Sequence, residues 1–122
     1  METNEKIVII TTTGGENPEK ATIPFVMATA AQATDVVVSV ILQSNSVVLA
    51  KKGEAEKVVA PEFMPVKQLI DAYIEMGGKL LLCSPCLKER NITRDDLIDG
   101  CEIIAAGTVI SEVLSAKAVL TY

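Results

Sequence analysis

Three short apolar runs limit what this chain can become: Lys6-Ile7-Val8-Ile9-Ile10-Thr11-Thr12, Asp35 to Leu42 (DVVVSVIL), and Lys79 to Leu82. Each is strand-sized and apolar without alternation. Strands of that kind are buried on both faces, which means a parallel sheet sandwiched between helices. Helical signals fall between the runs. Asn17 is a good N-cap with Pro18 at the first helical position, and Ile23, Met27, Ala30 and Ala31 recur at helical spacing. Pro24 removes a backbone donor and is expected to kink this helix or postpone its start. Val66, Leu69, Ile70, Tyr73 and Ile74 follow an amphipathic helical pattern closed by Gly77-Gly78.

The second half repeats the alternation. Thr93-Arg94-Asp95-Asp96 reads as a capping arrangement opening a short helix, and Ile103 and Ile104 mark a fourth strand. Val109, Ile110, Val113 and Leu114 indicate a last helix, and Ala118 to Thr121 a final strand. Only Phe25, Phe63, Tyr73 and Tyr122 are aromatic, so Val, Ile, Leu and Ala must fill the interior. The expected fold is a three-layer α/β/α sandwich with a mostly parallel five-stranded sheet, in a single domain spanning all 122 residues.

Charge and composition remove several function classes. The formal net charge is -5, and no basic run exceeds Lys51-Lys52, which leaves no footprint for nucleic acid or anionic lipid. The opening Met1-Glu2-Thr3-Asn4-Glu5 is polar and acidic, and no apolar run reaches membrane-spanning length, so neither a signal peptide nor a membrane span is expected. The expectation is a cytoplasmic protein. Histidine is absent, which excludes Ser-His-Asp and Cys-His catalysis and any His-ligated metal site. Chemistry here must run on thiols, carboxylates, lysines or the backbone.

In an open parallel sheet, ligands gather at the carboxyl ends of the strands. Those ends are Thr12 to Asn17, Gln43 to Asn45, and Cys83 to Cys86. Gly14, Asn17 and Asn45 are therefore candidate substrate-binding residues. The early loop matches neither the dinucleotide-binding nor the P-loop pattern. Cys83-Ser84-Pro85-Cys86 sits at the third strand end. Pro85 suits the first turn of a helix, with Ser84 as its N-cap, Cys83 just outside and Cys86 just inside. Free backbone N–H groups there are expected to lower the thiol pKa. The alternative is that Cys83 is simply the last buried residue of a strand. Three cysteines without histidine fall short of a tetrahedral zinc site, and Cys101 is expected to serve packing. Lys51 and Lys52 form a solvated surface pair, or draw an anionic sulfur donor if their loop folds over the thiols. A thioredoxin fold is disfavoured, because the cysteine motif follows the third strand.

The stretches TTTGGENPEKA, VVLAKKG, GGKLLLCSPCLKERNI and IIAAGTVISEVLSAKAVLTY together resemble the DsrE/DsrF-like family of small α/β sulfur-relay proteins, which includes the TusD-type sulfur carriers. In that family the sulfur-bearing cysteine follows the third strand and precedes a short basic helix, and the matching residue is Cys83. The resemblance implies a homo-oligomer, trimer or hexamer, and a persulfide passed from a donor protein to an acceptor protein without a cofactor. Cys86 lies outside the minimal carrier pattern, which leaves open a two-cysteine variant that resolves a Cys83 persulfide as a disulfide. Two other readings compete with a carrier: a dithiol oxidoreductase cycling Cys83 and Cys86, and a non-catalytic oligomeric binding module with core cysteines.

Overall fold

The computed structural model describes residues 5–122. Met1 to Asn4, most of the acidic opening on which the signal-peptide expectation rests, lie outside the described residues. In chain order the elements are β1 (Lys6–Thr11), α1 (Pro18–Ala33), β2 (Val37–Leu42), two 3-10 turns (Ser44–Ala50 and Ala55–Lys57), α2 (Val66–Glu75), β3 (Lys79–Cys83), α3 (Ser84–Glu89), a 3-10 turn (Arg94–Asp96), β4 (Cys101–Ile104), α4 (Ala106–Ser115) and β5 (Ala118–Thr121).

The five strands form one sheet in the order β4-β3-β2-β1-β5, and every pairing is parallel. The sequence led to a mostly parallel sheet; the observed one is wholly so. From β1 to β4 each strand is laid on the same side of its predecessor, whereas the last crossover returns past β1 to add β5. Right-handed crossovers therefore put α1 and α2 on one face and α4 on the other. The packing agrees. Ile9, Val40, Leu42, Leu80 and Leu82 pack with Ala21, Phe25 and Ala28 of α1 and with Val66, Ile70 and Tyr73 of α2. Val8, Ile41, Leu81 and Ile104 pack with Val109 and Val113 of α4.

The two faces are unequal. No residue of α4 is fully buried, and Ile110 and Leu114 are 58% and 81% exposed. A polar anchor holds its inner side, where Glu112 Oε1 accepts from Ser39 Oγ at 2.6 Å and from Lys6 Nζ at 2.9 Å. Burial pushes the Glu112 carboxyl up, but the Ser39 and Lys6 hydrogen bonds and the charges of Lys6 and Lys79 outweigh it, so its pKa falls below the usual range.

Local departures have local causes. The expected second strand begins two residues late, because Asp35 takes a left-handed φ of 64° in the turn that ends α1. Pro24 does not postpone α1, which starts at Pro18 and runs through it. The Thr93 motif makes one 3-10 turn rather than a helix, with Asp96 Oδ2 accepting from Thr93 N–H at 2.8 Å. Gly77 ends α2 at a φ of 90°, and Gly78 leaves no room for a Cβ against the Tyr73 ring. Tyr73 is wholly buried: its hydroxyl accepts from Val40 N–H at 3.0 Å and lies 3.0 Å from Val38 O and 2.5 Å from Lys79 O. It thereby bridges β2 to the start of β3.

Candidate functional site

β3 delivers Cys83 to the carboxyl edge of the sheet, between β2 and β4. Cys83 itself, not Ser84, takes the N-cap position of α3, with φ -65° and ψ 117°. Ser84 and Pro85 are the first two helical residues, where a missing proline N–H costs nothing because early helix donors have no intrahelical partner. One turn on, Cys86 points back, and its Sγ donates to Cys83 Sγ at 2.9 Å. Both thiols are free and half-buried.

The loop after β2 closes on this pair. Ser44 has a left-handed backbone, φ 52°, and its N–H donates to Cys86 Sγ at 3.1 Å. Arg90, at the end of α3, donates from Nη1 to Cys86 O at 3.0 Å and from Nε to Asn45 Oδ1 at 3.2 Å. Asn45 Nδ2 in turn donates to Glu16 Oε1 at 2.6 Å, and Gly14 N–H donates to the same oxygen at 3.0 Å. Three strand-end loops are thus tied into one chain of contacts, Glu16 to Asn45 to Arg90 to Cys86. Gly14 is required by close approach, since a Cβ there would stand 2.6 Å from Asn45 O.

The electrostatics run against the sequence-based expectation. Burial pushes the Cys83 thiol up, and the neighbouring Cys86 side chain adds to it, outweighing the opposing pull of Cys86 N–H and the Arg90 guanidinium. Helix-end donors are present, but desolvation beside a second sulfur wins. Burial also raises the Glu16 carboxyl, which hydrogen bonds from Asn45 and Gly14 and the Arg90 charge bring below the usual range.

Cys83 also lines a cavity of about 310 Å³ walled by Pro85, Ile104, Ala105, Ala106, Val109 and Ile110, with Gln43 at its edge. Cys86 is not part of that wall. A larger cleft of about 430 Å³ lies at the amino end of β2, between Gln32, Asp35, Met76 and Gly78, and holds no thiol.

The remaining candidates are engaged elsewhere. Asn17 caps α1, its side chain accepting from Lys20 N–H at 3.1 Å. Lys51 pairs with Leu97 through a backbone bridge, and Lys52 Nζ donates to Asp95 O at 3.1 Å, so both belong to the 94–97 turn and neither lines the Cys83 cavity. Cys101 pairs with Leu80, three residues back from Cys83 along the ladder, which is roughly 10 Å. Its sulfur donates to Ile98 O at 3.1 Å, and burial raises its pKa. Sequence reasoning missed Glu16, Ser44 and Arg90; their only signal was proximity to strand-end loops.

Among the described residues, no cluster of His, Cys, Asp and Glu could hold a metal ion, and no helix is long and apolar enough to cross a membrane. A thiol pair at the third strand end, with a basic residue closing α3, is the arrangement to set beside known proteins. The sequence matches the DsrE/DsrF-like family over residues 5–122. The chain belongs to the DsrE/DsrF-like family.

Similarity extends to individual members. An uncharacterized protein of Methanocaldococcus jannaschii, MJ0760, is 32% identical over 107 residues, covering 88% of this chain and 39% of that protein. The chain thus spans about two-fifths of that relative's length. A second uncharacterized protein of the same organism, MJ0989, is 28% identical over 117 residues, covering 96% of this chain and 99% of its own. The crystal structure of the ychN protein from E. coli superposes with a TM-score of 0.82 at 26% identity, over 97% of this chain and 99% of that one. The DsrE/DsrF-like fold is of a sulfur-relay type in general, with the five-stranded parallel sheet described above.

Proposed function

We propose that this DsrE/DsrF-like domain is a sulfur carrier whose working atom is Cys83 Sγ. The observation that carries the reading is its position: at the carboxyl end of a central strand, half-buried, on the wall of an apolar cavity of about 310 Å³. The Cys83 thiolate attacks the outer sulfur of a donor persulfide, the donor S–S bond breaks, and the donor leaves as a thiolate. The sulfur, now Cys83–S–SH, passes to an acceptor thiolate by the same displacement in reverse. The cavity surrounds the carried sulfur with mostly apolar walls, and Arg90 and Cys86 N–H stabilise the thiolate that each exchange requires. Gly14, Asn45 and Glu16 hold the loops in place, Asn17 caps α1, and Lys51 and Lys52 beside the 94–97 turn are the basic residues for drawing an anionic sulfur donor.

The partners in this reading are donor and acceptor proteins in the cytoplasm. The exposed Ile110 and Leu114 on α4 support a homo-oligomer, a trimer or hexamer, covering that face. The test is to incubate the reduced protein with a sulfane-sulfur donor and record peptide mass spectra with and without reductant. A reductant-sensitive gain of one sulfur on the Cys83 peptide is expected, and Cys83→Ser should abolish it. Equal loading of Cys83→Ser would rule the assignment out.

The 2.9 Å thiol contact favours a second reading, a dithiol oxidoreductase cycling Cys83 and Cys86. It requires a Cys83–Cys86 disulfide across some range of redox poise, and a titration showing none would remove it.

A further inference from the structure

We infer that Cys86 is a resolving thiol that discharges the sulfur carried on Cys83 as hydrogen sulfide, leaving a Cys83–Cys86 disulfide. This rests on the carrier reading of Cys83 and adds to it a second activity, reductive release. Three features point to it. The two sulfurs are already in contact at 2.9 Å, on residues three apart at a helix start, a separation that suits a disulfide. Cys83 lines the apolar cavity and Cys86 does not, so the outer sulfur of a Cys83 persulfide has room in a space that Cys86 does not wall. Cys86, at 2.9 Å, is within reach of the inner sulfur, the atom that a displacement releasing the outer sulfur attacks. Finally, Cys86 Sγ receives the Ser44 N–H at 3.1 Å, a donor placed to stabilise negative charge on the attacking sulfur.

The step balances without an outside oxidant. Cys86 sulfur bonds to Cys83 Sγ, the S–S bond to the outer sulfur breaks, and that sulfur departs with its own hydrogen and the proton lost by Cys86. Cys83–S–SH and Cys86–SH thus become a disulfide and one molecule of hydrogen sulfide. The carried sulfur is reduced and the Cys86 thiol is oxidised, while the Cys83 sulfur exchanges one S–S bond for another. A dithiol reductant then returns the disulfide to two thiols by exchange, readying Cys83 for another sulfur. Cys101 is no competitor, because it sits roughly 10 Å down the ladder with its sulfur on Ile98 O. The fate of the sulfur is decided by a race between Cys86 and an acceptor thiol reaching into the cavity.

The experiment is single-turnover loading of the reduced protein with inorganic polysulfide, removal of excess donor, and parallel measurement of released sulfide and intact mass. The parent should release sulfide and end two hydrogens lighter than the reduced form. Cys86→Ser should instead retain one added sulfur on Cys83, with sulfide release slowed by on the order of a hundredfold or more, since an intramolecular attack has been lost. Cys86→Ala serves as a second variant should the serine disturb the fold. Persistent persulfide in the parent, with release matching that of both variants, would overturn the resolving role while leaving the carrier intact. Absence of added sulfur on Cys83 in the parent and both variants would overturn the carrier, and the discharge with it.

Discussion

Replacing Tyr73 by Phe removes one oxygen from the interior and isolates what that oxygen does. The hydroxyl is the partner of Val40 N–H at 3.0 Å and lies against Val38 O and Lys79 O, all at the junction of β2 and β3. Val40 is wholly buried, so losing the hydroxyl leaves its N–H with only the β2–β3 ladder, a penalty of about 0.5 to 1.5 kcal/mol. The donated hydrogen bond contributes about 1 kcal/mol more, while the ring stays and its packing against Phe25 is kept. The expected loss is about 1.5 to 2.5 kcal/mol, lowering Tm by roughly 5 to 12 °C in a chain of this size. Urea unfolding with an unchanged m-value is the assay. Alkali offers a second readout. Burial, assisted by the Glu112 charge and opposed by Val40 N–H, holds the Tyr73 phenol above its ordinary value of 10.0. The folded state therefore favours the neutral phenol: its contribution is complete below that pH and falls as pH rises beyond it, because only the unfolded chain ionises readily. Tyr73→Phe should flatten that fall. A loss under about 0.5 kcal/mol with unchanged alkaline sensitivity would refute the bridging role.

The site sets the reactivity of Cys83 and the tolerance of Gly14. Because the Cys83 thiol is held above its ordinary range, its alkylation should accelerate as pH rises through the alkaline region; Cys86→Ala should speed it near neutral pH, and Arg90→Gln should slow it by about two- to fivefold, since that charge favours the thiolate. Gly14→Ala drives a Cβ against Asn45 O, so it should cost about 1 to 3 kcal/mol in thermal unfolding and, by displacing Asn45 from Arg90, slow Cys83 alkylation as well.

Strand identity was legible because it is a local property. Ile7 to Ile10 and Leu80 to Leu82 are continuous apolar runs, and Val38 to Leu42 is broken only by Ser39, a pattern that strands buried on both faces show. The placement of Cys83 and Cys86 at a strand-to-helix junction followed from Pro85 for the same reason. Asp35 misled the second strand's start because DVVV carries no mark of the left-handed turn that consumes its first residue. The N-cap slipped from Ser84 to Cys83 because element boundaries depend on geometry that neighbouring elements adjust by a residue.

What the sequence determined by itself was the alternation of strand and helix, the parallel class, the lack of histidine chemistry and the thiol pair at a strand end. Those follow from periodicity and residue type, which act over a few positions. The tertiary structure decided that β5 returns beside β1 and sends α4 to the far face, that Cys83 borders an apolar cavity, and that Glu16, Asn45 and Arg90 link three loops to Cys86. It also decided the direction of the Cys83 pKa. A helix start alone would lower it, but the net shift sums desolvation and charges from residues dozens of positions apart, and only the folded arrangement sets those distances.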